Sequence, residues 1–460
     1  MESARTHLLQ FCSHWAVVSR TKGRTMKTKN WMSSGLTLTA VAALALGLAA
    51  CGGDDNTADN NATPTPAATG GVVNVSGDIT TDTTWTADNT YLLQGAVFVR
   101  QGATLTIQAG TQVVGEHSSL GTLVVARGGH INAIGTREAP IVFTSDRPVG
   151  SRARGDWGGL ILNGSAPLNV PGGVKEGEGD TGEFGGNNVN DNSGTLRYVR
   201  VEYAGIEFSP DNELNGIAFQ GVGAQTTVDH IQVHFNLDDA MEFFGGTVNV
   251  KYALATAAGD DSFDWTDGWR GKGQFWIAQQ KGDDADNGFE CDNLEGIVDA
   301  SPRSNPTIYN VTLVGSPGRT AGDGSTHGMV LRRGTAGTLR NFIILGFKQA
   351  AYDVRDASVA QAQNGALSLD NAIIYGNGGG PGSGYTAWLQ QNAVVQVSPE
   401  LAAPYNLGQP NFMPASNSPA VNGTVPVAAP PNDGFFEQVN FIGGMGSSDW
   451  TEGWTTAEQS

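Results

Sequence analysis

The chain has 460 residues, of which 15% are charged, and its 45 Asp and Glu against 26 Lys and Arg give a formal net charge of −19. That balance repels phosphate backbones and excludes nucleic acid as a partner, while it attracts cations, Ca2+ above all, which prefers carboxylate and carbonyl oxygens. Three cysteines, Cys12, Cys51 and Cys291, are too few and too dispersed for a disulfide framework, and no zinc or iron–sulfur spacing is present.

In chain order, residues 1–25 fit no element and are expected to be upstream sequence before a start at Met26. Residues 26–50 read as a signal peptide: Lys27 and Lys29 precede an apolar run from Leu36 to Ala50. The run is too short to span a bilayer comfortably, which takes about 20 residues. Leu48-Ala-Ala-Cys51 resembles the bacterial lipoprotein signal, which implies that Cys51 carries lipid and anchors the mature chain to a membrane. Gly rather than Asp at position 52 implies, by the same resemblance, sorting to the outer membrane. Residues 51–71 are Gly, Asp, Asn, Thr, Ala and Pro and read as a tether with nothing to bury. Without residues 1–50 the chain keeps 20 basic against 44 acidic residues, a net charge near −24.

From residue 72 to 460 the pattern is all-β, with a C-terminal capping segment. Short apolar runs bounded by Gly follow one another at Ala96–Val99, Thr104–Ile107, Gly121–Val125, His130–Ile134, Pro140–Thr144 and Asp156–Leu162. Residues 163–194, rich in Gly, Asn and acids, read as a long functional loop. A second set of strands is marked at Leu196–Val201, Val228–Val233, Val248–Val250, Ile308–Leu313, Leu339–Ile344 and Leu369–Ile374. Most of these carry one apolar residue more than strict alternation provides.

Interleaved with these runs is a repeat: Asp239-Ala-Met-Glu-Phe243, Asp261-Ser-Phe-Asp-Trp265 and Asn287-Gly-Phe-Glu-Cys291. Fainter copies stand at Asn215–Phe219 and His327–Leu331, so successive copies start 24, 22, 26 and 40 residues apart. Self-similarity at that period, in a unit too short for a helix pair, predicts a parallel β-helix of roughly a dozen coils. Alternation along each strand points Met241, Phe243, Phe263, Trp265, Phe289 and Cys291 inward. Glu242, Asp264 and Glu290 then form an outward column about 4.8 Å apart.

The segments Gly121–Val125, His130–Thr136 and Pro140–Ser145 look like coils of pectin-lyase-like right-handed β-helices. Asp260-Asp-Ser-Phe-Asp-Trp-Thr-Asp-Gly-Trp-Arg270 and Asp449-Trp-Thr-Glu-Gly-Trp454 resemble a largely uncharacterised family of β-helical surface lipoproteins of Gram-negative bacteria. The resemblance implies fold and location more than activity.

Four chemistries suit the acidic column. The first is a Ca2+ site at Glu242, Asp264 and Glu290 with Asp267 and Asp292 close by, against the alternative of a plain solvated face. The second is a polysaccharide lyase, in which Ca2+ neutralises a uronate and Arg270, Lys272, Arg332 or Arg333 removes the neighbouring proton. The third, a glycoside hydrolase, has its Asp260-Asp261 and His327-Gly328 pieces in the wrong order. The fourth is non-catalytic binding of a polysaccharide or an outer-membrane protein, with Trp269 as the contact residue. The reading adopted is an outer-membrane-anchored, Ca2+-assisted binding or structural module, with the lyase as its alternative.

Overall fold

The structure is a computed structural model that describes residues 70–209, 212–317 and 324–458. Residues 1–25, the stretch 26–50 read as a signal peptide, Cys51 and nearly all of the expected tether lie outside the described residues. The described chain is a right-handed parallel β-helix with three walls. Its first wall carries the repeat. Ten segments stack there in parallel, from Gly77–Ile79 through Thr122–Val125, Met241–Phe244, Phe263–Thr266 and Asn287–Cys291 to Tyr352–Val354, and an Asp353–Ser383 bridge starts an eleventh.

The second and third walls come from the other strands. In the early coils they are separate elements: Thr104–Ile107 and His130–Ile134 on the second, Gln112–Gly115 and Ile141–Ser145 on the third. From Gly194–Glu202 onward they fuse into single long strands, Thr227–His234, Asn249–Thr256, Lys272–Gln279, Thr307–Val314, Gly337–Leu345 and Leu367–Tyr375. Each long strand bends at one residue with φ between 48° and 63°: Tyr198, His230, Tyr252, Phe275, Asn310, Asn341 and Asn371. A left-handed residue turns the chain by a corner and resets the inside–outside alternation, because it takes up one position without pairing. That reset is the source of the extra apolar residue in the pattern: Leu196 and Val199 both enter the core although three positions apart.

The core is one continuous stack. Phe243 stacks on Phe219, Trp269 and Trp276 at 5.0, 4.3 and 5.6 Å between centroids, and Phe263 stacks on Trp276 at 4.7 Å. Stacked aromatic pairs add about 0.5–1.5 kcal/mol each beyond the area they bury.

The C-terminal segment is not an end cap. It runs back along the outside of the second and third walls from the coil of Asn371 to the coil of Arg200. Asn371 and Asn341 donate to the carbonyls of Pro426 and Ala428, Gln274 exchanges two 2.8 Å hydrogen bonds with the backbone of Glu437, and Asn310 donates to Phe441. Farther on, Arg200 donates to Trp454 and Gln232 exchanges bonds of 2.7 and 2.8 Å with Thr456. The reason lies in the third wall's outer face, where Leu254, Ile277, Ile343 and Ile373 stand in register and bury themselves under Phe412, Ile442, Met445, Trp450 and Trp454. A solvent-facing row of that kind needs a cover. The far end of the solenoid is closed instead near Trp388, whose ring lies 5.2 Å from that of Tyr352.

Gln232 is fully buried and serves the strap's backbone on both its donor and acceptor sides. Gln232→Ala removes both hydrogen bonds to the half-buried Thr456 backbone and is expected to lower unfolding stability by about 1–2 kcal/mol. Urea titration checks this as a shift of the midpoint at unchanged slope.

Candidate functional site

The strands Met241–Phe244, Phe263–Thr266 and Asn287–Cys291 pair in parallel with Glu242 opposite Asp264 and Asp264 opposite Glu290. The three carboxylates therefore form one column on the outside of the first wall. It ends at Ala218 below and Val330 above.

Two further columns run beside it. Asp239, Asp261 and Asn287 enter the strands and tie coil to coil: the Asp261 N–H donates to Asp239 at 2.9 Å and the Asn287 N–H to Asp261 at 2.5 Å. One residue earlier stand Asp238, Asp260 and Asp286. The result is a grid of eight carboxylates and one amide across three coils. Four overlapping triads, Asp238/Asp239/Asp260, Asp239/Glu242/Asp264, Asp260/Asp261/Asp286 and Asp261/Asp264/Glu290, bring their oxygens within 4.8 Å of one another.

The grid is short of positive charge. Among the described residues only Glu290 of the eight forms an ion pair, with Arg332. Asp239, Glu242 and Asp261 are at most 9% exposed, and the Oδ1 of Asp264 is buried with no hydrogen-bond partner. Overhanging loops add charge of the same sign, Glu178 acting on Glu242 and Glu213 on Asp238. One neutral contact softens this: Asn215 donates to Glu242 at 2.7 Å. Burial first, and neighbouring carboxylates second, push Asp239, Asp261 and Asp264 well above the usual carboxylate range. Burial and Glu178 do the same to Glu242. The rim follows the same causes more weakly, Asp238 rising to about 8 and Asp260 to about 6. Glu290 rises to about 7 because burial outweighs the opposing charge of Arg332.

Several expected site residues sit elsewhere or are already occupied. Asp267 is buried and bound to Lys175 at 3.1 Å, and Asp292 is bound to Arg332 at 2.9 Å and to Arg333 at 2.6 Å. Both acids thus have protein cations where a metal was expected. Arg332 and Arg333 are correspondingly unfit as proton-abstracting bases. Burial works to lower Arg332, yet its hydrogen bonds to Asp292 and the charges of Asp292, Glu290 and Asp264 hold it above its ordinary value. Arg333 also pairs with Glu295 at 3.0 Å. Arg270 is exposed, at the turn that leaves the first wall. Trp269 is not a contact residue: it is fully buried, stacked on Phe243 at 4.3 Å, with its indole N–H on the Val248 carbonyl. The positive φ of Asp267 (54°) and Gly268 (88°) folds the chain back so that Trp269 re-enters the core.

The residues that sequence reasoning undervalued are Asp238, Asp239, Asp260, Asp261 and Asp286. The adjacent acids Asp238-Asp239 and Asp260-Asp261, repeating at the period of the coil, were the available signal.

A family model described as a pectate-lyase like beta helix domain matches residues 77–395. The chain belongs to this family. No curated protein and no solved structure matches it. The grid of this pectate-lyase-like β-helix lies within the matched span, and the strap along its side lies beyond it.

The raised carboxyls fix the sign of a pH effect. Groups that hold protons more tightly folded than unfolded contribute stability that is full below the unfolded value, about 4, and is lost as pH rises through the folded values. Those folded values include about 6 for Asp260, about 7 for Glu290 and about 8 for Asp238. With chelator present, the melting temperature is expected to fall between pH 5 and pH 8, and Asp264→Asn to flatten that slope. Scanning calorimetry across this range measures both.

Proposed function

We propose that this protein is a membrane-anchored, non-catalytic binding module whose carboxylate grid holds divalent cations, Ca2+ first among them, and through them bridges acidic polysaccharide. The observation that carries the reading is the charge imbalance: seven of the eight grid carboxylates lack an ion-pair partner among the described residues, while the nearest cations are spent on Glu290, Asp267 and Asp292. The donor set fits a hard cation, since it consists of carboxylate oxygens alone and includes a buried, unpartnered oxygen on Asp264. Asp239, Glu242, Asp261, Asp264 and Glu290 would hold the ion, and the ion would offer its remaining coordination positions to a uronate carboxylate. Binding is favoured over lyase chemistry because Arg332 and Arg333 are committed to ion pairs. Lys272 is likewise paired, with Asp433, so Arg270, exposed beyond the wall, is the remaining base for the lyase alternative.

Anchoring belongs to the same proposal. The apolar run to Leu48-Ala-Ala-Cys51 and the polar stretch after it support a lipid on Cys51 that holds the β-helix at the outer membrane. Cys51→Ser is expected to move the protein from the membrane fraction to the soluble fraction and to abolish labelling by a radioactive fatty acid.

Calorimetric titration of chelated protein with Ca2+ at pH 7.5 tests the grid. Binding is expected, with protons released as the raised carboxyls ionise, and Ca2+ at about 100 times its dissociation constant should stabilise the fold by about 2.7 kcal/mol. Asp261→Asn, which removes a carboxylate shared by two triads, should weaken binding by about tenfold or more. Alginate and pectate should be retained by the protein only with Ca2+, without growth of the absorbance of an unsaturated product. Growth of that absorbance, abolished by Arg270→Ala, would establish the lyase instead.

A further inference from the structure

A cleft of about 460 Å3 opens on the second wall, on a different face from the carboxylate grid of the first wall. Its floor is a row of outward side chains from three successive coils, Arg197, Asp229 and Lys251, which pair in register. One side is the turn of Ala224, Thr226 and Thr227, and the other is the strap at Gly434, Phe435 and Glu437.

The polar groups of this cleft are balanced, unlike those of the grid. Arg197 binds Asp229 at 3.0 Å, and Lys251 binds Glu437 at 3.1 Å. These four charges cancel, so the lining offers a charged ligand no net attraction. Hydrogen-bonding capacity remains open all the same. The Arg197 side chain is 51% exposed and uses one of its five N–H groups on Asp229. His230 is hydrogen-bonded to Asp229 through Nδ1 and lines the cleft with the rest of its ring. Asn249, whose Oδ1 accepts from the Lys272 backbone, contributes its amide N–H groups.

The site is also rigid and not greasy. His230 is clamped between Tyr198 and Tyr252 at 4.4 and 4.3 Å, and the edges of Trp450 and Trp454 hold the stack from the far side. The rings cover one another's faces, and Lys251 covers that of Phe435 at 5.1 Å. A ligand that fits must be neutral, must donate and accept hydrogen bonds in alternation, and must extend along the axis with a repeat near the coil spacing of about 4.8 Å, which is close to the length of one pyranose ring. The volume lies within the range of pre-formed ligand sites, about 300–1,000 Å3.

The geometry points to this cleft, formed between the strap and the second wall, as a binding site for a neutral linear oligosaccharide, recognised by Arg197, His230, Asn249 and Glu437. The site is independent of the cation grid and works without metal.

The full β-helix is titrated in chelator with cellohexaose, xylohexaose, mannohexaose and galactohexaose, and binding is read by calorimetry and by saturation-transfer NMR. At least one should bind with a sub-millimolar dissociation constant. Arg197→Ala, at a half-exposed side chain, should weaken that binding by about tenfold or more with an unchanged melting temperature. Glu437→Gln, which loosens Lys251 and Tyr252, should change the preference among the four sugars, and it replaces Arg197→Ala as the deciding variant if the latter fails to fold. Asp264→Asn should bind like the parent. Binding of none of the four at millimolar concentration, binding indifferent to both cleft variants, or loss of binding in Asp264→Asn would overturn the assignment.

Discussion

Parallel pairing of each coil with the next, in register, governs this molecule. It copies any position of the repeat along the axis, so that one residue choice becomes a column. Apolar choices then compound into a gapless core, as in the Phe219–Phe243–Trp269 stack. Charged choices compound as well. With carboxylate oxygens within 4.8 Å, each ionised pair in the grid repels by ~3.5 kcal/mol at an effective dielectric of 20. Several such pairs would rival the whole net stability of an ordinary domain, about 5–15 kcal/mol. A folded chain therefore cannot keep the grid fully ionised and bare. Protons or cations must neutralise it, and which of them does so depends on pH and ion supply.

The corner residues show how the same register is used on another face. An L-residue in the left-handed region pays about 1–2 kcal/mol, and Asn pays less because its side chain bonds locally. Coils at Asn310, Asn341 and Asn371 take the cheaper residue, and each of these amides binds the strap backbone. Coils at Tyr198, His230, Tyr252 and Phe275 use rings instead, stacked 4.3–4.8 Å apart, and offset the strain by mutual contact. The corner column thus solves one backbone problem in two ways, and the choice decides how the strap is held.

Much of this was legible in the residues. The repeat from Asp239 to Cys291 carried the fold, the register and the outward direction of Glu242, Asp264 and Glu290, because a side-chain period of two leaves no other assignment. Strands at Thr104, Gly121 and His130 were marked by their turns. What escaped was whatever depends on a break in that period. The left-handed corner hid the third wall, and the turn at Asp267-Gly268 sent Trp269 inward against its apparent exposure. Compensation escaped too: Lys175 reaches Asp267 across 92 residues and Arg332 reaches Asp292 across 40, separations that no local pattern reports. The strap could not be told from a cap, because its partners Leu254, Ile277, Ile343 and Ile373 read as ordinary strand residues until the corner places them on the outside.

The two ways of holding the strap also account for where the cleft lies. Where the corner is Asn, the amide draws the strap's backbone onto the wall and leaves no space. Where it is Tyr or His, the rings spend their faces on one another and have no amide to offer. There the strap backbone is held by Gln274, Gln232 and Arg200 beyond the corner, while Glu437 reaches Lys251 and Tyr252 and the edges of Trp450 and Trp454 meet the rings. A gap between the Arg197–Asp229–Lys251 row and Gly434–Glu437 follows from that change of contact. The acidic grid needs protons or cations to cancel its charge, whereas the charges of the cleft are paired with one another. The solenoid therefore presents two surfaces of different character from one repeating coil, the grid on its first wall and the cleft on its second.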